Sequence, residues 1–179
     1  QGRVSQGVGG MRLSRGDRVI GMIVSDNFDN NVLTISKFGM AKRTRLGSGQ
    51  MINQYEENGQ KIVDESGEDV FERDGYRKTN RGTKGVRTMA LNEGDEIISV
   101  RQIPNLSDQL FMLTKSGMMI RLAANQTKET RGKVAKGTRI MELRNKDKTG
   151  YNNEIIFVAR LPSELVEENN DDDSSEEEE

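Results

Sequence analysis

The sequence predicts an all-β fold made of repeated four-stranded units of about fifty residues, the size of a propeller blade. Three observations predict it. A basic glycine turn recurs three times, at Gly2–Val8, Asn80–Val86 and Gly132–Thr138. A strand–turn–strand pattern recurs twice, at Val32–Arg43 and Leu110–Arg121, with alternating apolar residues. Nineteen glycines and only two prolines fit many tight turns between short strands.

The spacing of the copies defines the units. Gly7 to Gly85 and Gly39 to Gly117 both span 78 residues, whereas Gly85 to Gly137 spans 52. We interpret residues 47–72 as the 26-residue insertion that makes the difference. The predicted organisation is therefore the second half of one blade at 1–26, a complete blade with the acidic insertion 47–72 at 30–104, a complete blade at 108–162 and a disordered acidic tail at 163–179.

Each basic turn leads into an alternating segment, then an aspartate, then an apolar run. Asp17, Asp95 and Asp147 each follow the central glycine by ten residues. Because they recur once per unit, we expect turn or capping roles for them and not a catalytic pair. The chain begins at Gln1, so we expect a piece of a longer protein, with the hairpin of the first unit upstream.

Composition excludes several classes of function. The chain has no cysteine and no histidine, which removes disulfides, thiolate metal sites and the commonest general base. The chain has no run of eighteen apolar residues, so no membrane span is predicted. It also has no apolar leader of the signal-peptide kind. We therefore predict no membrane partner, no catalytic residue and no metal site.

Charge is segregated along the chain. The net charge is −2, but residues 167–179 carry nine acids and no base, which leaves +7 on residues 1–166. The insertion carries seven acids and one lysine, so the repeats without it carry +13. This pattern indicates a polyanion partner with a built-in competitor. Charge alone is equally compatible with an ordinary soluble surface and a solvated tail.

The basic glycine turns have the chemistry of a phosphate-backbone contact. In the second copy Arg81 and Lys84 supply charge, while Gly82 and Gly85 let the backbone approach a ligand closely. Aromatic residues for base stacking are scarce, so we predict contact without sequence reading. The alternative is a set of ordinary glycine turns with solvated bases. The predicted DNA-binding residues are Arg3, Arg12, Lys42, Arg43, Arg45, Arg77, Lys78, Arg81, Gly82, Lys84, Gly85, Arg87, Arg121, Lys133, Lys136 and Arg139.

These motifs resemble a known family. Asn80–Val86, Gly39–Thr44 and the pairs Gly16-Asp17 and Gly94-Asp95 resemble the C-terminal DNA-wrapping domain of the bacterial DNA gyrase A subunit, from Gln1 to about Leu161. The resemblance implies a β-pinwheel, a propeller-like ring with strands exchanged between blades, around which duplex DNA wraps. It implies a cytoplasmic, nucleoid-associated type IIA topoisomerase, with A and B subunits in an A2B2 assembly. ATP and Mg²⁺ would act elsewhere in that enzyme, and no cofactor is expected in this piece.

The chain also departs from the family pattern. The family's box, Gln-Arg-Arg-Gly-Gly-Lys-Gly, is richer in arginine than Asn80–Gly85, which resembles a later, degenerate copy. The tyrosines at 55, 76 and 151 lack the context of a catalytic tyrosine, so none receives a chemical role. Two alternatives stay open: the similar domain of the topoisomerase IV A subunit, and a propeller used for protein contacts. An independent enzyme is the weakest interpretation.

Overall fold

The computed structural model describes residues 4–131 and 135–165. In that part of the chain, no helix is long and apolar enough to cross a membrane. Its elements are nine strands and one short 3₁₀ helix: β1 (Asn31–Ser36), β2 (Met40–Arg45), β3 (Met51–Asn53), β4 (Phe71–Arg73), β5 (Ile97–Ile103), β6 (Gln109–Thr114), β7 (Met119–Ala123), the 3₁₀ helix (Ala124–Gln126), β8 (Thr138–Arg139) and β9 (Ile155–Leu161).

The two predicted hairpins are confirmed, and each recruits a third strand in the same way. β1 pairs with β2 and β6 pairs with β7, both antiparallel. β5 then adds to β1, and β9 adds to β6. The register shifts at Ser36 in one sheet and at Thr114 in the other, two positions that are 78 residues apart. The structure thus repeats its irregularities as well as its strands.

The first sheet also contains a strand from the following unit. Its order is β5-β1-β2-β8, and β8 pairs with β2 through Met40↔Arg139 and Ala41↔Thr138. The Ile140 N–H donates to the Gly39 carbonyl at 2.9 Å just beyond this pairing. Because β8 follows the second hairpin in the chain, the sheet on the first hairpin interlocks two units.

The apolar core lies between the two sheets. Alternate residues on the first strand of each hairpin are fully buried: Leu33 and Ile35 in β1, and Leu110 and Met112 in β6. They pack in one cluster with buried residues that include Ile103, Ile155, Val158, Met141 and Leu143. Burial of each such side chain contributes about 1.5–3 kcal/mol. The core therefore contains side chains from both units, and the basic turns are not part of it.

The apolar run Val19–Val24 aligns with β5 and β9 in the repeat but forms no strand. Val19, Met22 and Val24 are exposed. β5 and β9 each add to the hairpin that belongs to their own unit. Within the described residues no hairpin precedes segment 19–24, so this segment has no strand to pair with.

Asp147 does not occupy the position that the spacing assigns to it. In the first complete unit, the Asp95 carboxylate accepts hydrogen bonds from the Phe38 and Glu96 N–H groups. In the next unit Asn153 does this for Ser116 and Glu154. Asp147 instead accepts from the Thr149 N–H and hydroxyl, inside an extra turn closed by the Arg144↔Tyr151 bridge. The predicted turn or capping role of Asp147 is right. Six additional residues in this unit, however, place Asn153 and not Asp147 at the position equivalent to Asp95.

Residues 48–74, which we call the arm, leave the first hairpin as a separate lobe. Its neck is tight, because a Cβ on Gly75 would lie 2.1 Å from the Leu46 carbonyl oxygen. Above the neck β3 pairs with β4, and the bridges Tyr55↔Lys61 and Val63↔Asp69 close two small hairpins. Three backbone hydrogen bonds join the parts at the centre, from Gln54 to Val70, Val70 to Ile62 and Ile62 to Gln54.

Candidate nucleic-acid interface

The second basic turn is an exposed loop with two left-handed glycines. Gly82 has φ of +75° and Gly85 has φ of +78°, a conformation that side-chain-bearing residues rarely adopt. The Thr83 hydroxyl donates to the Asn80 carbonyl at 2.9 Å and helps to close the loop. Arg81 and Lys84 are both exposed. The sequence therefore folds this loop so that its two cations project from a tight backbone.

The three copies of the turn lie next to one another in chain order. The Arg12 N–H donates to the Thr83 carbonyl at 2.9 Å, and the Gly82 N–H donates to the Gly10 carbonyl at 3.0 Å. The segment after the first turn thus lies against the second turn. In the same way, the Ala90 N–H after the second turn donates to the Ala135 carbonyl in the third, at 3.2 Å. The repeat therefore builds a continuous border of basic turns.

The Gly82 N–H is already engaged inside the protein. It donates to the Gly10 carbonyl and is therefore not free to donate to a bound phosphate. Gly82 shapes the loop, and the hydrogen bond ties the segment after the first copy to the second copy. The charge of the turn comes from the Arg81 and Lys84 side chains.

Ion pairing separates the predicted bases into two groups. Eight of them are exposed and form no ion pair within the described part of the chain: Arg12, Arg77, Lys78, Arg81, Lys84, Arg87, Arg121 and Lys136. Lys78 lies over the Phe28 ring, 5.7 Å from its centroid, and Lys136 donates to the Asn92 side chain at 2.9 Å. Neither contact neutralises the ammonium charge.

Two residues predicted to bind DNA, Lys42 and Arg43, are buried in the structure, which corrects the prediction. Lys42 is 1% exposed, and its ammonium donates to the Thr88 carbonyl at 2.5 Å. Its burial lowers the pKa of the Lys42 amine. Arg43 is 7% exposed and bonds to the Thr127 carbonyl and to Glu129. β2 is covered on both faces, so these two cations hold units together and do not reach the surface.

The side chains of Arg45 and Arg139 are partly exposed, but both already form ion pairs with carboxylates. Arg45 pairs with Asp29 and Asp74. Arg139 and Arg144 share Glu142, with nitrogen–oxygen distances of 2.9 Å from each. The hydrogen bonds from Arg144 and the charge of Arg139 lower the pKa of Glu142 to about 2. A phosphate would have to displace these carboxylates to bind either arginine.

Two predicted residues, Arg3 and Lys133, lie outside the described residues, as do residues 166–179 of the acidic tail. Their predicted roles stay predictions. The third copy is therefore represented by residues 135–138.

A shared groove runs between the segment that follows the first copy, residues 11–20, and the end of the second copy with the segment that follows it. Arg12, Lys84 and Arg87 line this opening of about 840 Å³, and no aromatic ring is among its lining residues. Three acids also line it, but each has an internal contact. Asp17 accepts from the Ser14 N–H, Asp95 from the Phe38 N–H, and Glu96 pairs with Arg18 and Lys37. The backbone hydrogen bonds leave Asp17 and Asp95 charged. The lining therefore carries four cations (Arg12, Arg18, Lys84 and Arg87) against three acids, a net charge of +1.

Arg15 is a further candidate for contact with a phosphate backbone that the sequence repeat does not reveal. It is exposed, it forms no ion pair within the described residues, and it lies in the turn that the Asp17 N–H closes on the Ser14 carbonyl. This turn recurs as Asn92–Asp95, where Glu93 occupies the equivalent position. Because the basic character is present in only one copy, the repeat gave no signal for it.

Comparison with known proteins shows the family to which the chain belongs. The family model described as DNA gyrase C-terminal domain, beta-propeller, matches residues 1–26, 30–48, 70–104 and 108–149. The chain belongs to this DNA gyrase C-terminal domain family. The predicted all-β, β-pinwheel class is thereby confirmed. The match leaves out residues 49–69, which form most of the arm.

Sequence relatives of this gyrase-family chain are bacterial gyrase A subunits. It is 31% identical over 148 residues to the DNA gyrase A subunit of Fibrobacter succinogenes, covering 82% of this chain and 13% of that protein. It is 29% identical over 169 residues to the Campylobacter jejuni protein of the same name, covering 93% and 15%. The chain thus spans less than a sixth of the length of these relatives.

Among solved structures, two C-terminal domains are similar to the chain. The C-terminal domain of ParC from E. coli matches with a TM-score of 0.49 and 18% identity, over 86% of this chain and 49% of that one. A DNA gyrase A C-terminal domain matches with a TM-score of 0.28 and 16% identity, over 76% and 67%.

Proposed function

We propose that this chain binds duplex DNA through its phosphate backbone, without reading sequence, and helps to wrap it. The observation that carries the proposal is a group of exposed cations, on the second turn and the segments beside it, that form no ion pair within the described residues: Arg12, Arg77, Lys78, Arg81, Lys84 and Arg87. Polyanions bind where several fixed positive charges lack internal partners, because binding releases condensed counterions.

The type of contact follows from what lines the groove. The cations are long, exposed side chains on loops, and no stacking ring lines the groove beside them. Reading of bases needs a helix or β-ribbon inserted in a groove of the duplex, or aromatic platforms for single strands. Loops with cations suit the outside of a duplex, where phosphates lie.

In the whole protein we propose that the domain works as part of the gyrase A subunit, together with the gyrase B subunit in an A2B2 assembly. Wrapping would then support ATP-dependent negative supercoiling by a type IIA topoisomerase in the bacterial cytoplasm, at the nucleoid. ATP and Mg²⁺ would act in other parts of the enzyme. The unit boundaries 1–26, 30–104 and 108–162 belong to the same proposal. Its support is family membership and the gyrase A relatives.

Two double variants with the same change in net charge test the proposal. Arg81→Ala with Lys84→Ala removes two cations that have no ion pair within the described residues. Arg139→Ala with Arg144→Ala removes two that share Glu142. We expect the first pair to weaken duplex binding about 10- to 100-fold near 0.1 M salt and to lower the salt slope by up to about two.

The Arg139/Arg144 variant serves as the control, and we expect less than a threefold change from it. Binding is measured by titration of a labelled 40-base-pair duplex, with circular dichroism to show that both variants fold. Equal losses in the two variants would mean that only total charge matters, and the assignment of the turn would be wrong.

A further inference from the structure

The arm is built as a two-faced sheet, and its pairing fixes which side chains share a face. Residues opposite each other in an antiparallel pair lie on one face, and alternate residues along a strand do so as well. The pairs Met51↔Arg73, Asn53↔Phe71, Tyr55↔Lys61 and Val63↔Asp69 are mutually consistent under this rule. Met51, Tyr55, Val63 and Phe71 therefore share one face, which we call the outer face. Their partners Arg73, Lys61, Asp69 and Asn53 lie on it too; Lys61 pairs with Asp69, and Arg73 donates to the Gly49 carbonyl.

The opposite face of the arm is directed towards the rest of the chain. Glu72 lies on that face and pairs with Arg131, beside the third basic turn. Ile52, on the same face, lines a small cavity with Glu72, Arg131 and Thr44. The arm is thus anchored by one face and presents the other to solvent.

The outer face exposes four large apolar side chains. Met51, Tyr55, Val63 and Phe71 are between 53% and 56% exposed. Contiguous exposed apolar surface with a polar rim is typical of protein interaction sites.

The arm as a whole is acidic. Residues 48–74 carry eight acids and two bases, a net charge of −6. Glu57 and Glu65 lie at the tips of the two small hairpins, and Glu56, Asp64 and Glu68 lie beside them on the face opposite the outer face; all five are exposed, and none forms an ion pair within the described residues. This charge repels DNA and attracts a cationic partner, so it selects the kind of molecule that can cover the apolar side chains.

We propose that the outer face of the arm docks a cationic polypeptide segment that carries apolar side chains. The apolar groups of the segment cover Met51, Tyr55, Val63 and Phe71, and its lysines or arginines reach the hairpin turns. The arm then gives the domain a protein contact on a surface that DNA avoids. Residues 49–69 lie outside the family match, so this contact is an addition to the common fold.

The test uses the intact 179-residue chain and a labelled twelve-residue peptide of alternating lysine and valine. Met51→Ser with Phe71→Ser removes apolar surface at constant charge. Glu57→Gln with Glu65→Gln and Glu68→Gln removes charge at constant size. We expect each variant to weaken peptide binding about tenfold in a fluorescence anisotropy titration, with duplex binding weakened by neither.

Matched controls come from other parts of the chain. Met118→Ser with Met119→Ser changes two exposed methionines on the second hairpin, and Asp26→Asn with Glu93→Gln and Glu164→Gln removes three exposed acids off the arm. We expect both to bind the peptide like the parent chain. The acidic tail is present in every variant, so its share of the binding is constant. A lysine–serine peptide should bind the parent about tenfold more weakly than the lysine–valine peptide.

Two results would overturn the proposal. Unchanged binding by the Met51/Phe71 variant would reduce the contact to plain charge attraction. Self-association of the parent chain in sedimentation experiments, lost in that variant, would make a second copy of the chain the occupant of the face.

Discussion

Two glycines with the same left-handed backbone differ in their surroundings. Gly75 has φ of +65° and Gly82 has φ of +75°. A Cβ on Gly82 would meet no atom within 4 Å, whereas one on Gly75 would lie 2.1 Å from the Leu46 carbonyl oxygen. The glycine at 82 is thus required for conformation alone, and the glycine at 75 for conformation and space.

This difference predicts unequal costs for the same substitution. Gly82→Ala should lower the free energy of unfolding by about 1–2 kcal/mol, the cost of a left-handed residue with a side chain. Gly75→Ala should cost at least about 2 kcal/mol more, because the neck of the arm must open. Urea denaturation of both variants measures this. Equal costs would show that the close approach at the neck is relieved without loss.

Residue-level detail was the hardest part to predict from sequence. Lys42 and Arg43 stand in a strand whose alternation, Met40-Ala41-Lys42-Arg43-Thr44-Arg45, predicts one wet face. Both faces are covered in the structure, by the Thr88 segment and by the Thr127–Glu129 segment. Those covering segments lie over forty residues away along the chain, so local periodicity contains no sign of them.

Ion pairs link successive units where β5 and β9 begin. Each complete unit supplies one lysine in its hairpin turn and one glutamate immediately before β5 or β9. The chain of pairs runs from Arg18 to Glu96 at 3.1 Å, to Lys37 at 3.7 Å, to Glu154 at 2.9 Å and to Lys115 at 3.3 Å. This row crosses the boundaries between units and contributes to their alignment.

The row predicts a pH-dependent contribution to stability. Hydrogen bonds from Lys37 and Lys115 lower the pKa of Glu154 below its ordinary value of 4.5. A lowered carboxyl pKa stabilises the folded state above the unfolded-state value, and this contribution is lost as pH falls through the folded-state value. Glu154→Gln should therefore lower the melting temperature at pH 7, with the difference shrinking progressively below about pH 4.5.

Glu93→Gln is the control, because Glu93 is exposed and forms no ion pair within the described residues. Thermal unfolding of both variants and the parent is followed between pH 7 and pH 3. A Glu154→Gln effect of the same size at both ends of that range would contradict the role of its charge.

Elements were more predictable than residues. Both hairpins follow from alternation around Gly39 and Gly117, since apolar periodicity and turn glycines are local signals. The pairing of β8 with β2 is not local, because it depends on how units pack. The extra turn at 144–150 was hidden because Asp147 happens to preserve the ten-residue spacing while Asn153 takes over the capping contact.

At the scale of the whole molecule, charge is divided between separate structures. The basic turns lie along the border of the units, the arm carries acids, and the sequence of residues 167–179 adds nine more. The sequence predicts this division well, because charge can be counted without a fold. It does not predict which cations are free, since that depends on the ion pairs that the fold creates.

Removal of the acidic tail should raise DNA affinity at low salt. Nine charges on a tether give a local concentration on the order of millimolar, enough to occupy weak cationic sites until a duplex displaces them. The difference should fall as salt screens the attraction. Truncation after Val166 is compared with the intact chain in duplex titrations at low and high salt. Unchanged affinity at low salt would leave the tail with a role in solubility alone.

The salt dependence of duplex binding by the intact chain tests the central claim most directly. Binding of two 40-base-pair duplexes of unrelated sequence is titrated between about 50 and 200 mM salt. If six to ten phosphates are engaged, affinity should fall roughly 10³- to 10⁵-fold over this range and be the same for both sequences. A flat salt response, or a strong preference for one sequence, would contradict backbone binding by the exposed cations of the basic turns.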